Sequence, residues 1–300
     1  MSEVVSQDQI AFYRENGYLV LPGHLPKDVI AKACDEIERL SAHATNIDVS
    51  DDLIDLEDSH SRNDPRIRRI KRPDLQSTFF NELMRSDLIL GPARDLIGPN
   101  IRMHTTKLNM KKARYGAPVQ WHQDVAFYPH TNDDVLAIGV VFDDVELENG
   151  PLQVFAGSHK GPVLNHHHEG VFSGSVDLAE AGLDTKDAVS LTGPAGTISI
   201  HHGRILHGSA LNTSPRDRQI LFYEMMAADA FPICGAMTPF TTIEDYNSRM
   251  LCGEPTNEPR IENIPIRIPQ PQPRKTGSIY EIQSQGKGGL ETFEQAHANG

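Results

Sequence analysis

The hydrophobic pattern of the chain changes character near residue 100. Before that point the apolar positions recur at helical spacing. Ser6 followed by Gln9 reads as a capping box and Gly17 as the stop of a short first helix. Tyr18–Leu21 reads as a strand. Pro26 opens a helix whose apolar face is Ile30, Ala33, Ile37 and Leu40. Two more helical segments are expected near 75–85 and 87–97, closed by the turn signal Gly98-Pro99-Asn100. Ahead of these two, after the Pro26 helix, residues 45–65 are acidic and rich in Asn, Asp and Ser, which reads as a loop or lid.

From Ile101 onward, short β-prone runs follow one another, punctuated by Gly, Pro, Asn and Asp: 101–110, 118–122, 135–142, 152–155, 188–191, 197–202 and 219–227. Short strands without intervening helices indicate a β-sandwich or barrel. Residues 160–187 are long for a hairpin loop and read as an insertion at the barrel mouth. Beyond about 231 the chain turns polar and proline-rich, so an extended, partly mobile tail is expected there. The reading is a single domain over 1–300: a helical part to about 100, a β core over about 101–230, and the tail over about 231–300.

Charge and cysteine content narrow the partners. The net charge is −13, from 28 Lys and Arg against 41 Asp and Glu, and that field opposes nucleic acid and anionic membranes. No apolar run approaches the roughly 20 residues of a membrane helix, and the first residues lack the pattern of a secretory signal. The three cysteines, Cys34, Cys234 and Cys252, are odd in number and far apart, which fits reduced thiols in a cytoplasmic protein. One basic cluster, Arg66, Arg68, Arg69, Lys71 and Arg72, follows the acidic stretch from Asp48 to Asp58. It reads as a mutually neutralising surface or, alternatively, as cations facing an anionic ligand. Oligomeric state leaves no mark in the sequence.

The chemistry concentrates in Gln120-Trp121-His122-Gln123-Asp124. On a strand, residues two apart share a face, so His122 and Asp124 can both point into a barrel. An imidazole and a carboxylate joined by a second His form the facial triad of non-haem Fe(II) oxygenases, which leaves coordination positions open for cosubstrate and oxygen. An isolated His-x-Asp is common; a second element makes it informative. The strand at 197–202 leads through Gly203 to Leu206-His207-Gly208-Ser209, and Arg218 follows eleven residues after His207. A distal His and then an Arg on the next strand suit 2-oxoglutarate, whose far carboxylate needs a planar cation. Arg216 is an alternative in the same turn, but the spacing favours Arg218.

The remaining histidines have plainer readings. Of His201 and His202, neighbours on one strand, at most one can face the site, and His202 reads as structural. His166, His167 and His168 read as part of a flexible polar insertion. His159 reads as a brace beside a turn, and Trp121 as a packing residue.

At these positions the chain resembles the phytanoyl-CoA dioxygenase family. The likeness lies in WHQD at 121–124, ENGPLQVFAGSHKG at 148–161 and HHGRILHGSALNTSPRDR at 201–218, with weaker similarity at 70–76 and 98–105. It implies a mainly β, double-stranded β-helix (jelly-roll, cupin-like) fold with an N-terminal helical layer. It also implies iron on His122, Asp124 and His207, and 2-oxoglutarate held by Arg218 and Ser209, with Lys71 and Thr106 as further cosubstrate contacts. The implied reaction uses O2 to hydroxylate an unactivated C–H bond of a small molecule or acyl thioester, releasing succinate and CO2. Asp124 as a carboxylate favours hydroxylation over halogenation. Lys111, Lys112 and Arg114 could dock a CoA ester, although the acidic balance of the chain argues against one. Residues 45–65 and 160–187 are the expected lids. Two other readings would use the same metal set: a non-catalytic jelly-roll sensor or scaffold, and a cupin-type metalloenzyme without 2-oxoglutarate.

Overall fold

The computed structural model describes residues 4–114, 116–234, 240–273 and 279–284. In chain order the elements are α1 (Gln7–Asn16), β1 (Tyr18–Leu21), α2 (Lys27–Ser41), β2 (Ile54–Leu56), β3 (Ile67–Lys71), α3 (Pro73–Gln76), α4 (Thr78–Arg85), α5 (Asp87–Ile97), β4 (Ile101–Lys111), β5 (Val119–His122), β6 (Val135–Val141), β7 (Leu152–Val154), β8 (His167–His168), β9 (Val171–Phe172), β10 (Val189–Leu191), β11 (Ile198–His202), β12 (His207–Ser209), β13 (Arg218–Ala227), α6 (Ile243–Asn247), β14 (Met250–Cys252) and α7 (Ile279–Ser284).

Two antiparallel sheets carry the fold. The larger runs β1-β11-β6-β13-β4-β3-β2, with β14 also paired to β4, and the smaller runs β10-β7-β12-β5. Strand β13 shows how the sequence builds this. Leu221, Tyr223 and Met225 face outward and join one core with Phe80, Met84, Ile89 and Leu90 of α4 and α5. The alternate residues Ile220 and Phe222 face the other sheet, where they pack with Val141, Leu152 and Val154. The period of two thus separates a helical layer from the sandwich interior. Central strand β6 is buried at every position, as a strand covered on both faces must be. Truncating a fully buried side chain such as Leu221 would cost about 2–5 kcal/mol.

The helical layer begins as the sequence indicates. Ser6 and Gln9 form the reciprocal cap of α1, and Gly17 ends it at φ 78°. That backbone conformation favours glycine, and a Cβ at Gly17 would also collide with the His159 ring.

Three expectations about the fold are corrected. Residues 45–65 are not a plain loop: β2 lies within them and pairs with β3, the basic cluster. Asp55 binds Arg69 at 2.5 Å and Lys71 at 2.7 Å, while Glu57 binds Arg66 at 2.9 Å, so the acidic and basic runs neutralise one another as neighbouring strands. The 160–187 insertion is anchored by His166, which is buried. Its Nδ1 lies 3.0 Å from the Leu164 carbonyl and its Nε2 accepts the Gln123 N–H at 2.9 Å. The region after 231 is not simply extended: it contains α6, β14 and α7, and β14 joins the large sheet through β4. Among the described residues, no helix is long and apolar enough to cross a membrane.

Candidate active site

His122 ends β5 and His207 begins β12, and the pairing of these strands sets the two residues directly opposite each other. Their rings lie 4.1 Å apart. Asp124 follows two residues after His122. The three side chains are buried, and one ligand atom from each lies within 4.8 Å of the others. Both imidazoles are oriented by their own backbone. His122 Nδ1 lies 2.7 Å from the Gln120 carbonyl, and His207 Nδ1 lies 2.9 Å from that of Ile205. Each carbonyl can only accept, so each Nδ1 carries the proton and each Nε2 presents a lone pair to the centre.

The electrostatics agree with a metal site. Burial, together with the neighbouring His122 ring, pushes His207 well below the ordinary imidazole value, which keeps it neutral. Against burial, which favours the neutral acid, the charge that His207 carries when protonated and hydrogen bonds from His122 and His201 hold the Asp124 carboxyl well below the usual range, so a proton left among these groups sits on a ring and not on the carboxylate. Two neutral imidazoles and one carboxylate on one side of a cavity suit a divalent ion such as Fe(II), with positions left open.

His201 is the residue of the His201–His202 pair that faces this centre. Its Nε2 lies 3.4 Å from Asp124 Oδ2, where it can hold the carboxylate oxygen that a metal does not take. His202 turns away and packs against Tyr13 and His159. His159 Nε2 reaches the Arg14 carbonyl at 3.2 Å, which ties the β core to α1. Trp121 is fully buried against Phe155, as a packing residue.

The triad opens into a cavity of about 540 Å³, mouth included, between the two sheets. At one end stand Arg218 and Lys111, cross-strand partners that are both buried. Among the described residues neither has a carboxylate within ion-pair distance. Arg218 donates from Nη2 to the Gly150 carbonyl at 2.9 Å, and its buried Nε has no partner among the described residues. Burial lowers Arg218 to about 10. Burial and the nearby Arg218 charge push Lys111 well below its ordinary value. A buried guanidinium beside a buried amine, with no carboxylate partner among the described residues, makes a site suited to a negative group. Ser209 and Asn109 line the same end, and the buried Asn109 Oδ1 has no partner among the described residues. A dicarboxylate reaching from the triad to Arg218 fits this arrangement. Arg216, by contrast, is exposed and pairs with Glu146 at the surface.

The structure does not bring every sequence candidate to the cavity. Lys71 Nζ is bound to Asp55 and, at 2.7 Å, to the Asp51 carbonyl, so the β2–β3 ion pairs hold it away. Thr106 is one pleat out of place. On β4 it is Lys107, Asn109 and Lys111 that face inward, whereas Thr106 points to the helical layer and bonds to Asp74. Neither expected lid lines the cavity. Ile279 and Tyr280 of α7 line it instead, with the Arg68 guanidinium 5.0 Å over the Tyr280 ring. Gln283 fastens α7 to β5: its Oε1 accepts the Gln120 N–H at 3.0 Å, and its Nε2 donates to the Gly174 carbonyl at 2.9 Å. Lys111 belongs to the cavity rather than to a surface docking patch, and Lys112 is paired with Asp217. Asn109 and Lys111 could have been found from the alternation along β4 opposite Arg218. Tyr280, in a proline-rich context, gave no signal.

Comparison with known proteins agrees with this geometry. The family model described as phytanoyl-CoA dioxygenase matches residues 13–220. A probable alpha-ketoglutarate-dependent hypophosphite dioxygenase of Stutzerimonas stutzeri is 34% identical over 275 residues, covering 90% of this chain and 94% of its own length. An L-proline trans-4-hydroxylase of Streptomyces griseoviridis is 34% identical over 183 residues, covering 54% of this chain and 68% of its own. Among solved structures, EctD from S. alaskensis with bound Fe superposes at TM-score 0.66, with 24% identity over 88% of this chain and 90% of that one. The same protein with 2-oxoglutarate and 5-hydroxyectoine gives TM-score 0.65 and 23% identity over 89% and 90%. The shared fold is the jelly roll.

Proposed function

The chain belongs to the phytanoyl-CoA dioxygenase family, and from that premise we propose that it hydroxylates a small charged molecule at a metal held by His122, Asp124 and His207. It is an Fe(II)- and 2-oxoglutarate-dependent dioxygenase. The observation that carries the site assignment is the pairing of a His-Asp-His centre with the buried Arg218 and Lys111, which have no carboxylate partner among the described residues. A scaffold or a cupin enzyme without a keto-acid cosubstrate would have no use for the second feature.

The residues divide the work as follows. His122 and His207, fixed through Nδ1, offer Nε2 lone pairs, and Asp124 supplies the negative ligand. Arg218 takes the distal carboxylate of 2-oxoglutarate, with Lys111, Ser209 and Asn109 around it. The apolar walls from Leu152, Ile220 and Phe222 keep water out of the cavity. Tyr280 of α7 lines the cavity, which supports reading α7 and the β core as one catalytic domain. When bound, ferrous iron with 2-oxoglutarate and O2 supplies the oxidising power, and the cosubstrate leaves as succinate and CO2.

The relatives named for hypophosphite and L-proline both point to compact charged substrates. The net charge of −13 and the burial of Lys111 weigh against a CoA ester and against nucleic acid. The free thiols of Cys34, Cys234 and Cys252 support a reducing, cytoplasmic location. The test is succinate formation by iron-loaded protein, with hypophosphite, L-proline, ectoine and an acyl-CoA ester as candidate stimulants. One of the small molecules should stimulate turnover most. Stimulation by the thioester alone would overturn the small-substrate assignment.

A further inference from the structure

The cavity has a second charged end that neither the metal nor the cosubstrate uses. Along β13 the inward residues run Arg218, Ile220, Phe222, Glu224, so Glu224 lies six residues from Arg218, or about 20 Å along the strand. Glu224 is 2% exposed. Its Oε2 accepts the Tyr128 hydroxyl at 2.8 Å, with His104 Nδ1 3.5 Å away, and its Oε1 meets Lys107 Nζ at 2.6 Å. On the neighbouring strands the same level carries Ala137 and then His201, the partner of Asp124. This group therefore borders the metal centre on the side away from Arg218.

Lys107 is the member with unused capacity. Its ammonium has three donors, and Glu224 is its one ion-pair partner among the described residues. Against the cost of burial, Glu224 and, beyond it, Asp124 keep this ammonium charged. Phe222 lies 5.7 Å beneath it. Glu224 Oε2 takes the Tyr128 hydroxyl, and Oε1, which has no other hydrogen-bond partner among the described residues, is already charge-paired with Lys107, so a substrate ammonium would have to displace Lys107 to reach it. The free hydrogen-bonding direction at this end belongs to a cation. The same cavity must also admit 2-oxoglutarate, so the space left beside Lys107 is small.

We propose that Lys107, oriented by Glu224, is the substrate-binding cation of this enzyme, and that the substrate is a compact anion whose charged oxygen accepts from its ammonium beside the metal. Glu224 and Tyr128 act as positioning residues that aim Lys107 into the cavity. The proposal rests on the oxygenase reading above, and its test separates the two.

The experiment is calorimetric titration of hypophosphite, and separately of L-proline, into anaerobic protein loaded with Fe(II) and 2-oxoglutarate. 2-Oxoglutarate affinity is measured first on each variant. Hypophosphite should bind the unmodified protein and L-proline should bind more weakly. Lys107→Met should weaken hypophosphite roughly ten- to a hundredfold, the loss of a charged hydrogen bond, with 2-oxoglutarate affinity within about twofold of the unmodified protein. Lys107→Arg should restore most of the binding. The double variant Lys107→Met/Glu224→Gln, which leaves no unpaired buried carboxylate, should show the same loss as Lys107→Met. Unchanged hypophosphite affinity in either Lys107→Met background overturns the proposal. So does failure of the unmodified, 2-oxoglutarate-bound protein to take hypophosphite, tighter binding of L-proline, or a parallel loss of 2-oxoglutarate, which would make Lys107 a cosubstrate residue. If the unmodified protein does not bind 2-oxoglutarate, the oxygenase reading itself fails.

Discussion

Replacing Arg218 with Met should have two opposite effects, and their combination is diagnostic. In the protein without cosubstrate, Arg218 is a buried cation beside the buried amine of Lys111. Burial lowers it from an ordinary 12.5 to about 10, and both values lie far above neutral pH, so the side chain is charged in the folded and unfolded states alike. The shift then represents a folding cost on the order of 3 kcal/mol at pH 7. Losing the hydrogen bond to the Gly150 carbonyl gives back about 1–2 kcal/mol. The net expectation is a variant about 1–2 kcal/mol more stable than the parent when empty, a rise in Tm of a few degrees. Cosubstrate binding moves the other way. Truncating one partner of a buried charge pair costs about 2–5 kcal/mol. Lys111 remains to share the carboxylate, so the lower part applies, roughly a thirty- to a hundredfold loss of 2-oxoglutarate affinity. The assay is thermal unfolding with and without 2-oxoglutarate, paired with anaerobic calorimetry. Arg216→Ala, at an exposed ion pair with Glu146, should be nearly silent in both. Unchanged 2-oxoglutarate affinity in Arg218→Met, or a large defect in Arg216→Ala, would refute the assignment.

The other expectations are briefer. Ala at His122, Asp124 or His207 should abolish stoichiometric Fe(II) binding without unfolding the chain, as checked by metal analysis and circular dichroism; a variant that keeps full iron would not have lost a ligand. Lys111 is depressed in the empty pocket, and a bound dianion raises it again, so binding takes up a proton and 2-oxoglutarate affinity should fall as pH rises. Calorimetry across pH 6 to 9 in buffers of different ionisation enthalpy would read that proton; affinity rising with pH would show the sign to be wrong. Ser209→Ala should weaken 2-oxoglutarate less than Arg218→Met, by about 1 kcal/mol, because a single hydrogen bond is lost.

Much of this architecture was legible in the chain because local and long-range signals agree. The Ser6–Gln9 cap, the Gly17 stop and the Pro26 opening each act over a few residues, and they bound α1 and α2 as expected. His122 and His207 could be read because strand ends place them without knowledge of the sheet order; Asp124 lies just past the end of β5, at the start of a 3-10 turn, where the extended backbone at Gln123 still brings it beside His122. Strand β3 was not legible: Arg68, Arg69 and Lys71 mask its alternation, and only pairing with Asp55 and Glu57 makes those charges affordable in a sheet. Thr106 was misplaced by one pleat, the smallest possible register error, yet enough to move it from the cavity to the helical layer. The role of α7 depends on long-range contacts such as Gln283 with Gln120, which no local pattern announces.

The most direct measurement is the visible spectrum of the protein under strict anaerobiosis as Fe(II) and then 2-oxoglutarate are added. A keto acid chelated to ferrous iron on two histidines and a carboxylate gives a weak charge-transfer band. The expected result is a band that saturates at one iron and one 2-oxoglutarate per chain, needs a hundredfold or so more cosubstrate in Arg218→Met, and is lost in His207→Ala. A protein that binds Fe(II) yet shows no band at saturating 2-oxoglutarate, or a band that persists unchanged in His207→Ala, would contradict the assignment of this cavity as the oxygenase centre.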